Sequence, residues 1–337
     1  MRAMVLDRSA NIDDSPLVMR EVDDPHPGDG EVRVRVSVCA VCRTDLHIIE
    51  GDLPERKRPI IPGHQVVGVV DELGDGCSAL KEGDRIGIAW LRSTDGTCRF
   101  CRASRENLCP SSRYTGYHSD GGYAEYTVVP EEFAYRLPGT FDDVVGSPLL
   151  CAGVIGYRAL KRAGVPDRGK LLLVGFGSSA HVVLQIALYR GYDTFVVTRS
   201  ENHVQMARAM GAAWVGTDTA DLPDKMDSAI LFAPAGRLVP PIMAALERGG
   251  ILSIAGIHLT DIPSLNYEQH LFYDKEIRSV AANTREDGRE LLAEAAEAGV
   301  RPHVKTYSLA DANAALQDMK HSRVDGTGVL LIDKGLA

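Results

Sequence analysis

The sequence contains no uninterrupted apolar run of the ~18 residues that a membrane-spanning helix needs. Its opening, Met-Arg-Ala-Met-Val-Leu-Asp, lacks the long apolar stretch of a secretory signal. It also lacks an excess of positive charge: 37 Lys and Arg face 46 Asp and Glu, a net of −9. Nucleic acids and anionic membranes draw basic surfaces, so neither is an expected partner. Cysteine is sparse and odd in number, seven in 337 residues, which excludes a disulfide framework. With no signal and unpaired thiols, the expected compartment is the cytoplasm, where clustered cysteines hold metal or do chemistry. Apolar content is not lacking. At 45% apolar and 25% charged residues the composition is that of a folded globular chain rather than a disordered one. At roughly 150 residues per domain the length predicts two domains.

What is present changes character along the chain. The first 145 or so residues read as β-rich. Residues 32–38 alternate apolar and polar side chains, as a half-buried strand does, and 66–70 form a short buried-strand run. Pro25, Pro27, Gly28, Gly30, Pro59, Pro62 and Gly63 punctuate this half, as short strands joined by turns require. In the middle, apolar runs at 171–174, 194–197, 228–232 and 251–254 read as strands. They alternate with helical stretches at 180–188 and 204–210, closed by Gly191 and Gly211. Such alternation makes βαβ units and a parallel sheet, so the predicted class is α/β. Two helices, 285–298 and 309–320, and a strand, 328–332, complete the chain.

One turn carries a nucleotide signature. Gly175-Phe-Gly177-Ser178-Ser179-Ala180 follows a predicted strand and opens a predicted helix, the G-x-G-x-x-A form of the dinucleotide fingerprint. Gly175 permits the tight turn. Gly177 lets a pyrophosphate approach the free N–H groups at the helix start. The next strand ends Val197-Thr198-Arg199-Ser200. A site for NAD places an acid here for the ribose 2′-hydroxyl. The acid is missing, and a guanidinium flanked by the hydroxyls of Thr198 and Ser200 suits a 2′-phosphate. The expected cofactor is NADP, with NAD the alternative.

Four further motifs bear on chemistry. Cys42-Arg43-Thr44-Asp45-Leu46-His47-Ile48 sits in a stretch that reads as turn-rich, and Gly63-His64-Gln65 follows it. Leu150-Cys151 precedes the nucleotide half, and Asp95-x-x-Cys98-x-x-Cys101 leads to Cys109. Trp90-Leu91 stands just before that cluster. Cys39-x-x-Cys42 also spells a redox pair, but nothing around it is thioredoxin-like, and Cys39 is expected to pack in the core.

Taken together these motifs resemble the zinc-containing alcohol dehydrogenases of the medium-chain dehydrogenase/reductase superfamily, in particular the bacterial branch with Trp-Leu before the cysteine cluster. The resemblance covers nearly the whole chain. It implies a GroES-like, β-rich catalytic domain formed by 1–147 and 286–337, and a Rossmann doubly wound parallel-sheet domain, 148–285. It implies that Cys42, His64 and Cys151 hold a catalytic zinc, a Cys₂His set that leaves the fourth position open for water or substrate. It implies a second, structural zinc on Asp95, Cys98, Cys101 and Cys109. Asp95 replaces the usual first cysteine there and, as a carboxylate, keeps the same ligand charge. Two zinc ions per chain are therefore expected.

The same resemblance assigns roles in a hydride transfer between an alcohol and an aldehyde or ketone. Thr44 takes the alcohol proton, His47 passes it through the cofactor ribose to solvent, and Asp45 orients the ring of His64. Arg43 meets the pyrophosphate, and Trp90 and Ile48 line an apolar substrate pocket. The implied partners are a small alcohol or aldehyde and further copies of the chain, as a tetramer or dimer. Rival readings are a zinc-free quinone or enoyl reductase of the same superfamily and a non-catalytic, nucleotide-binding redox sensor. Neither needs Cys42, His64, Cys151 and Thr44 together. Two positions depart from the family pattern. Gln65 stands where Glu is usual, which removes a negative charge near the metal, so Gln65→Glu is expected to raise the pH at which alcohol oxidation begins. The stretch Asp325-Gly326-Thr327-Gly328 lacks the arginine that many relatives offer to the pyrophosphate.

Overall fold

A computed structural model describes residues 1–333, 335 and 336. The chain divides into two units: Met1–Ala152 with Thr284–Ala296 and Arg301–Ala337, and Gly153–Asn283 with Glu297–Val300. Cys151 thus falls in the first unit, with Cys42 and His64. Among the described residues no single helix is long and apolar enough to cross a membrane.

The first unit is built on a seven-stranded sheet. Its order is Val304–Ser308, Thr327–Leu331, Glu31–Ala40, Gln65–Leu73, Arg85–Ile88, Ala134–Arg136, with Tyr126–Pro130 also paired to Glu31–Ala40. Glu31–Ala40 is the central strand. Its first half alternates inward and outward, and its last five residues are buried throughout. The alternation at 32–38 was therefore the start of a strand that becomes fully internal. Val32, Val34, Val36, Cys39, Val66, Val70, Ile86, Ile88 and Leu330 share one core, which places Cys39 in packing as expected.

Residues 43–50, which read as turn-rich, form a helix, Arg43–Glu50. Leu46 and Ile49, three apart, fall on one side of it and enter the core, and the Gly51 N–H closes the helix on the His47 carbonyl. The polar residues between them disguised the period. The cysteine segment contains a short helix, Arg99–Arg102, and a 3₁₀ turn, Glu106–Leu108.

The second unit holds a six-stranded sheet in the order Trp214–Gly216, Asp193–Val197, Lys170–Val174, Met226–Leu231, Leu246–Ile254, Glu276–Ser279. All neighbours run parallel. The order reverses beside Lys170–Val174, the arrangement of doubly wound dinucleotide-binding folds, whose ligands sit at the carboxyl ends of the strands. The two edge strands escaped the sequence reading. They are short, and Glu-Ile-Arg-Ser carries no apolar run.

Candidate active site

The helix Arg43–Glu50 starts on Cys42 and brings Cys42, Thr44 and Asp45 together. Asp45, in its first turn, reaches back to the Cys42 N–H at 2.9 Å, the return bond of a capping box. Its other oxygen meets His64 Nδ1 at 2.8 Å, and both side chains are fully buried. A third bond, 3.0 Å from the Tyr123 hydroxyl, completes the carboxylate. Burial first, and then the Asp45 charge, push the Tyr123 phenol well above its ordinary pKa, so it remains a donor. Sequence reasoning missed Tyr123. It lies 78 residues from Asp45, and no local pattern joins them. Gly63, at φ +96°, fits beneath it: a Cβ there would stand 2.3 Å from the Tyr123 ring.

With Nδ1 committed to Asp45, His64 Nε2 is buried and has no hydrogen-bond partner among the described residues. Left so, a buried polar atom costs about 1–3 kcal/mol. One ligand atom each from Cys42, His64 and Cys151 lies within 4.8 Å of the others. The sulfurs of Cys42 and Cys151 are 3.8 Å apart. Two thiolates at ~2.3 Å from one ion, opened by a tetrahedral angle, stand about 3.8 Å apart. The donor set, the spacing and the orphaned nitrogen all fit zinc.

Charge points the same way. Burial alone would lower the His64 imidazole, but the Asp45 carboxylate and the Cys42 sulfur outweigh it and raise it to about 10. The surroundings thus favour a positive charge at Nε2. The Cys151 thiol and the His64 ring hold Cys42 well below the usual thiol range, while Cys42 and burial push Cys151 up. A cation bound between them would hold both as thiolates.

Around this cluster, Thr44 is buried with its Oγ1 3.7 Å from Cys42 Sγ. His47 lies one turn further along the helix, its Nδ1 2.8 Å from Asp52. Arg43 is exposed and Ile48 is buried. The indole of half-buried Trp90 meets the His64 ring edge-on at 5.0 Å and stacks with Tyr114 at 4.7 Å and Tyr117 at 5.8 Å. The two tyrosines of this aromatic wall were not foreseen.

The second cluster also assembles. Ligand atoms of Asp95, Cys98, Cys101 and Cys109 lie within 4.8 Å of one another. Cys98 and Cys101 bring their sulfurs to 3.5 Å. The Asp95 Oδ1 accepts from the N–H groups of Thr97 at 2.9 Å and Cys98 at 2.8 Å. Those bonds hold the carboxyl well below its usual range and fix it facing the sulfurs.

In the second unit Gly175 ends the strand Lys170–Val174 at φ +87°, and a Cβ there would press 2.9 Å from the Ala233 nitrogen. Gly177 differs. It caps the helix Ser178–Tyr189, and a Cβ on it would meet nothing within 4 Å. Packing does not ask for glycine there, whereas an approaching pyrophosphate does. Ser178 and Ser179 form the first turn, and Ala180 is buried against the sheet. At the end of the neighbouring strand Thr198 is buried, with its N–H on the Gly216 carbonyl at 3.0 Å, while Arg199 and Ser200 are exposed.

Comparison with known proteins agrees with this geometry. Residues 28–139 match the family "Alcohol dehydrogenase GroES-like domain". The chain is 50% identical to the probable alcohol dehydrogenase AdhA of Mycobacterium tuberculosis, over 98% of its length and 97% of that protein. It is 35% identical to an alcohol dehydrogenase of Geobacillus stearothermophilus, over 93% and 95%. Among solved structures, AibC superposes with a TM-score of 0.91 at 28% identity, covering 99% of this chain and 96% of that one. The chain belongs to the alcohol dehydrogenases of the medium-chain dehydrogenase/reductase superfamily, and is an enzyme of that class.

Proposed function

We propose that this enzyme is zinc-dependent and interconverts alcohols with aldehydes or ketones, preferring NADP(H) to NAD(H). The observation that carries the reading is the buried Nε2 of His64, without a well-formed hydrogen bond among the described residues, beside two sulfurs set 3.8 Å apart. Cys42, His64 and Cys151 would hold the catalytic zinc, and Asp95, Cys98, Cys101 and Cys109 a structural one. When bound, zinc supplies a Lewis acid that eases loss of the alcohol proton or polarises a carbonyl, and the nicotinamide takes or returns the hydride.

The chain's own residues do the rest. Asp45 fixes the His64 ring so that Nε2 faces the sulfurs, with Tyr123 and the Cys42 N–H fixing Asp45 in turn. Thr44 accepts the alcohol proton at its hydroxyl. His47, one turn on and held through Nδ1 by Asp52, hands the proton outward. Trp90, backed by Tyr114 and Tyr117, offers an apolar wall to the carbon chain of the substrate, and Ile48 is the second apolar residue assigned to the pocket. Gly175, Gly177, Ser178, Ser179 and Ala180 cradle the pyrophosphate, and Thr198, Arg199 and Ser200 take the 2′-phosphate. The catalytic domain is 1–147 with 286–337, and 148–285 binds the dinucleotide. A cytoplasmic homo-oligomer, tetramer or dimer, completes the reading.

The test is zinc per chain by elemental analysis, paired with alcohol oxidation in NADP⁺ and in NAD⁺. About two zinc ions and faster turnover with NADP⁺ support the proposal. No zinc, with activity on quinones or enones instead, would replace it by the zinc-free reductase.

A further inference from the structure

Gln65 follows His64 in the chain and is 1% exposed. Its two amide ends reach two different segments. Nε2 donates to the Val41 carbonyl at 3.2 Å, and Oε1 accepts the Ala152 N–H at 3.4 Å. Val41 immediately precedes Cys42, and Ala152 immediately follows Cys151. One side chain, adjacent to one candidate zinc ligand, therefore grips the backbone adjacent to the other two. Those two cysteines are 109 residues apart in sequence. On the Cys42 side the sheet also helps, since Ala40 pairs with Gln65. On the Cys151 side the gripped group is the first N–H of the helix Ala152–Ala163, a donor that the helix itself leaves unused.

We propose that Gln65 is a positioning residue that sets the separation of the two sulfur ligands and so governs how firmly the enzyme keeps its catalytic metal. This rests on the zinc reading above. The task needs an amide, because a carbonyl must be met by a donor and an N–H by an acceptor. Glutamate has the same shape and offers only acceptors. It would set a carboxylate oxygen against the Val41 carbonyl and loosen the grip. A purely electrostatic role predicts the opposite, since one more negative charge beside a cation would tighten binding. Gln65→Glu thus separates the two accounts, and Gln65→Met removes both hydrogen bonds without adding charge.

The experiment follows zinc release from the full-length, zinc-loaded enzyme into a colour-forming chelator. The amplitude that disappears in Cys151→Ser identifies the Cys42–His64–Cys151 site. In both Gln65 variants that amplitude should release about 10- to 100-fold faster, the usual effect of losing a partner that holds metal ligands. The fraction from the Asp95 cluster should keep its wild-type rate. Release from Gln65→Glu at the wild-type rate or slower overturns the proposal. A wild-type enzyme without that amplitude would overturn the zinc reading instead, which the two results keep distinct. A measurement on the wild type covers variants that fail to fold. With ¹⁵N-glutamine labelling, the Nε2 hydrogens of Gln65 should exchange far more slowly than those of exposed Gln205, and equal rates would overturn the grip.

Discussion

Replacing Asp45 by asparagine tests the geometry of the site most sharply. The side chain keeps its shape, but an amide has one accepting end and one donating end. Suppose the nitrogen takes the place of Oδ2. It then faces the Cys42 N–H across 2.9 Å, donor against donor, while the Tyr123 hydroxyl turns to accept. One buried donor is left unsatisfied, at a cost of about 1–3 kcal/mol. Suppose instead that the nitrogen takes the place of Oδ1. It then faces His64 Nδ1 across 2.8 Å, so Nδ1 must accept and Nε2 must carry the proton. That tautomer cannot ligate a metal. The metal-free protein can adopt the second arrangement at little cost, but the metal-bound protein must adopt the first. The penalty therefore falls on metal affinity, roughly a 5- to 150-fold loss at about 1.4 kcal/mol per decade. Competition with a chelator of known affinity measures it, and Tyr123→Phe provides the milder companion, with a loss of about 1 kcal/mol. Affinity in Asp45→Asn within twofold of wild type would refute the argument.

The other expectations are simpler. Gly175→Ala should destabilise the second unit by about 1–3 kcal/mol, because φ +87° and the 2.9 Å contact with the Ala233 nitrogen both oppose a side chain. Gly177→Ala should leave the melting temperature unchanged and weaken dinucleotide binding, as titration by fluorescence would show. Arg199→Glu should raise the KM for NADP⁺ about tenfold or more and leave that for NAD⁺ nearly unchanged, if the guanidinium meets the 2′-phosphate. Asp95→Ala should lower zinc content from about two per chain to about one. Asp318 is held down at about 2, first by Lys305 and then by Arg323, with Tyr307 adding a bond. A carboxylate depressed in the folded state stabilises above its unfolded pKa, about 3.9, and loses that contribution as pH falls towards 2. Wild type should thus lose about 1 kcal/mol relative to Asp318→Asn across that window, after allowance for solvent screening. Denaturant melts at pH 5 and pH 2.5 would show the difference closing.

The candidate ligands could be named from the sequence because the family resemblance pointed to residue types that metal chemistry restricts. Cys42, His64 and Cys151 are soft or borderline donors, and a cluster of thiols in an otherwise cysteine-poor chain is conspicuous. The nucleotide turn was legible because glycine at 175 and 177 answers a backbone requirement that few other residues meet. What supports the ligands was not legible. Tyr123, Tyr114, Tyr117 and the double grip of Gln65 belong to packing across the sheet, where a partner 78 or 87 residues away leaves no mark on its neighbours. Gln65 shows the limit clearly. Its sequence signal was a missing charge, whereas the structure shows an amide using both ends.

The helix Arg43–Glu50 is the instructive misreading, because its polar residues are the ones chemistry would use. In a surface helix, Thr44, Asp45 and His47 would face water and the apolar stripe would stand out. Here Thr44 and Asp45 are buried with Leu46, Ile48 and Ile49, so polar and apolar residues share the interior and the period is lost. Asp45 is tolerated there because each oxygen is satisfied, and it satisfies the helix start in return. The helix also sets the spacing of the proposed proton path. Thr44 and His47 are three residues apart, which on a helix places them on one face and in a turn would not. Misreading the local structure did not touch the proposed roles, which the family resemblance implied, but it concealed why the order Cys, Thr, Asp, His would serve them. One helix start sets a candidate sulfur ligand, a hydroxyl beside it, the carboxylate bonded to the His64 ring, and an imidazole anchored by Asp52 at the helix end.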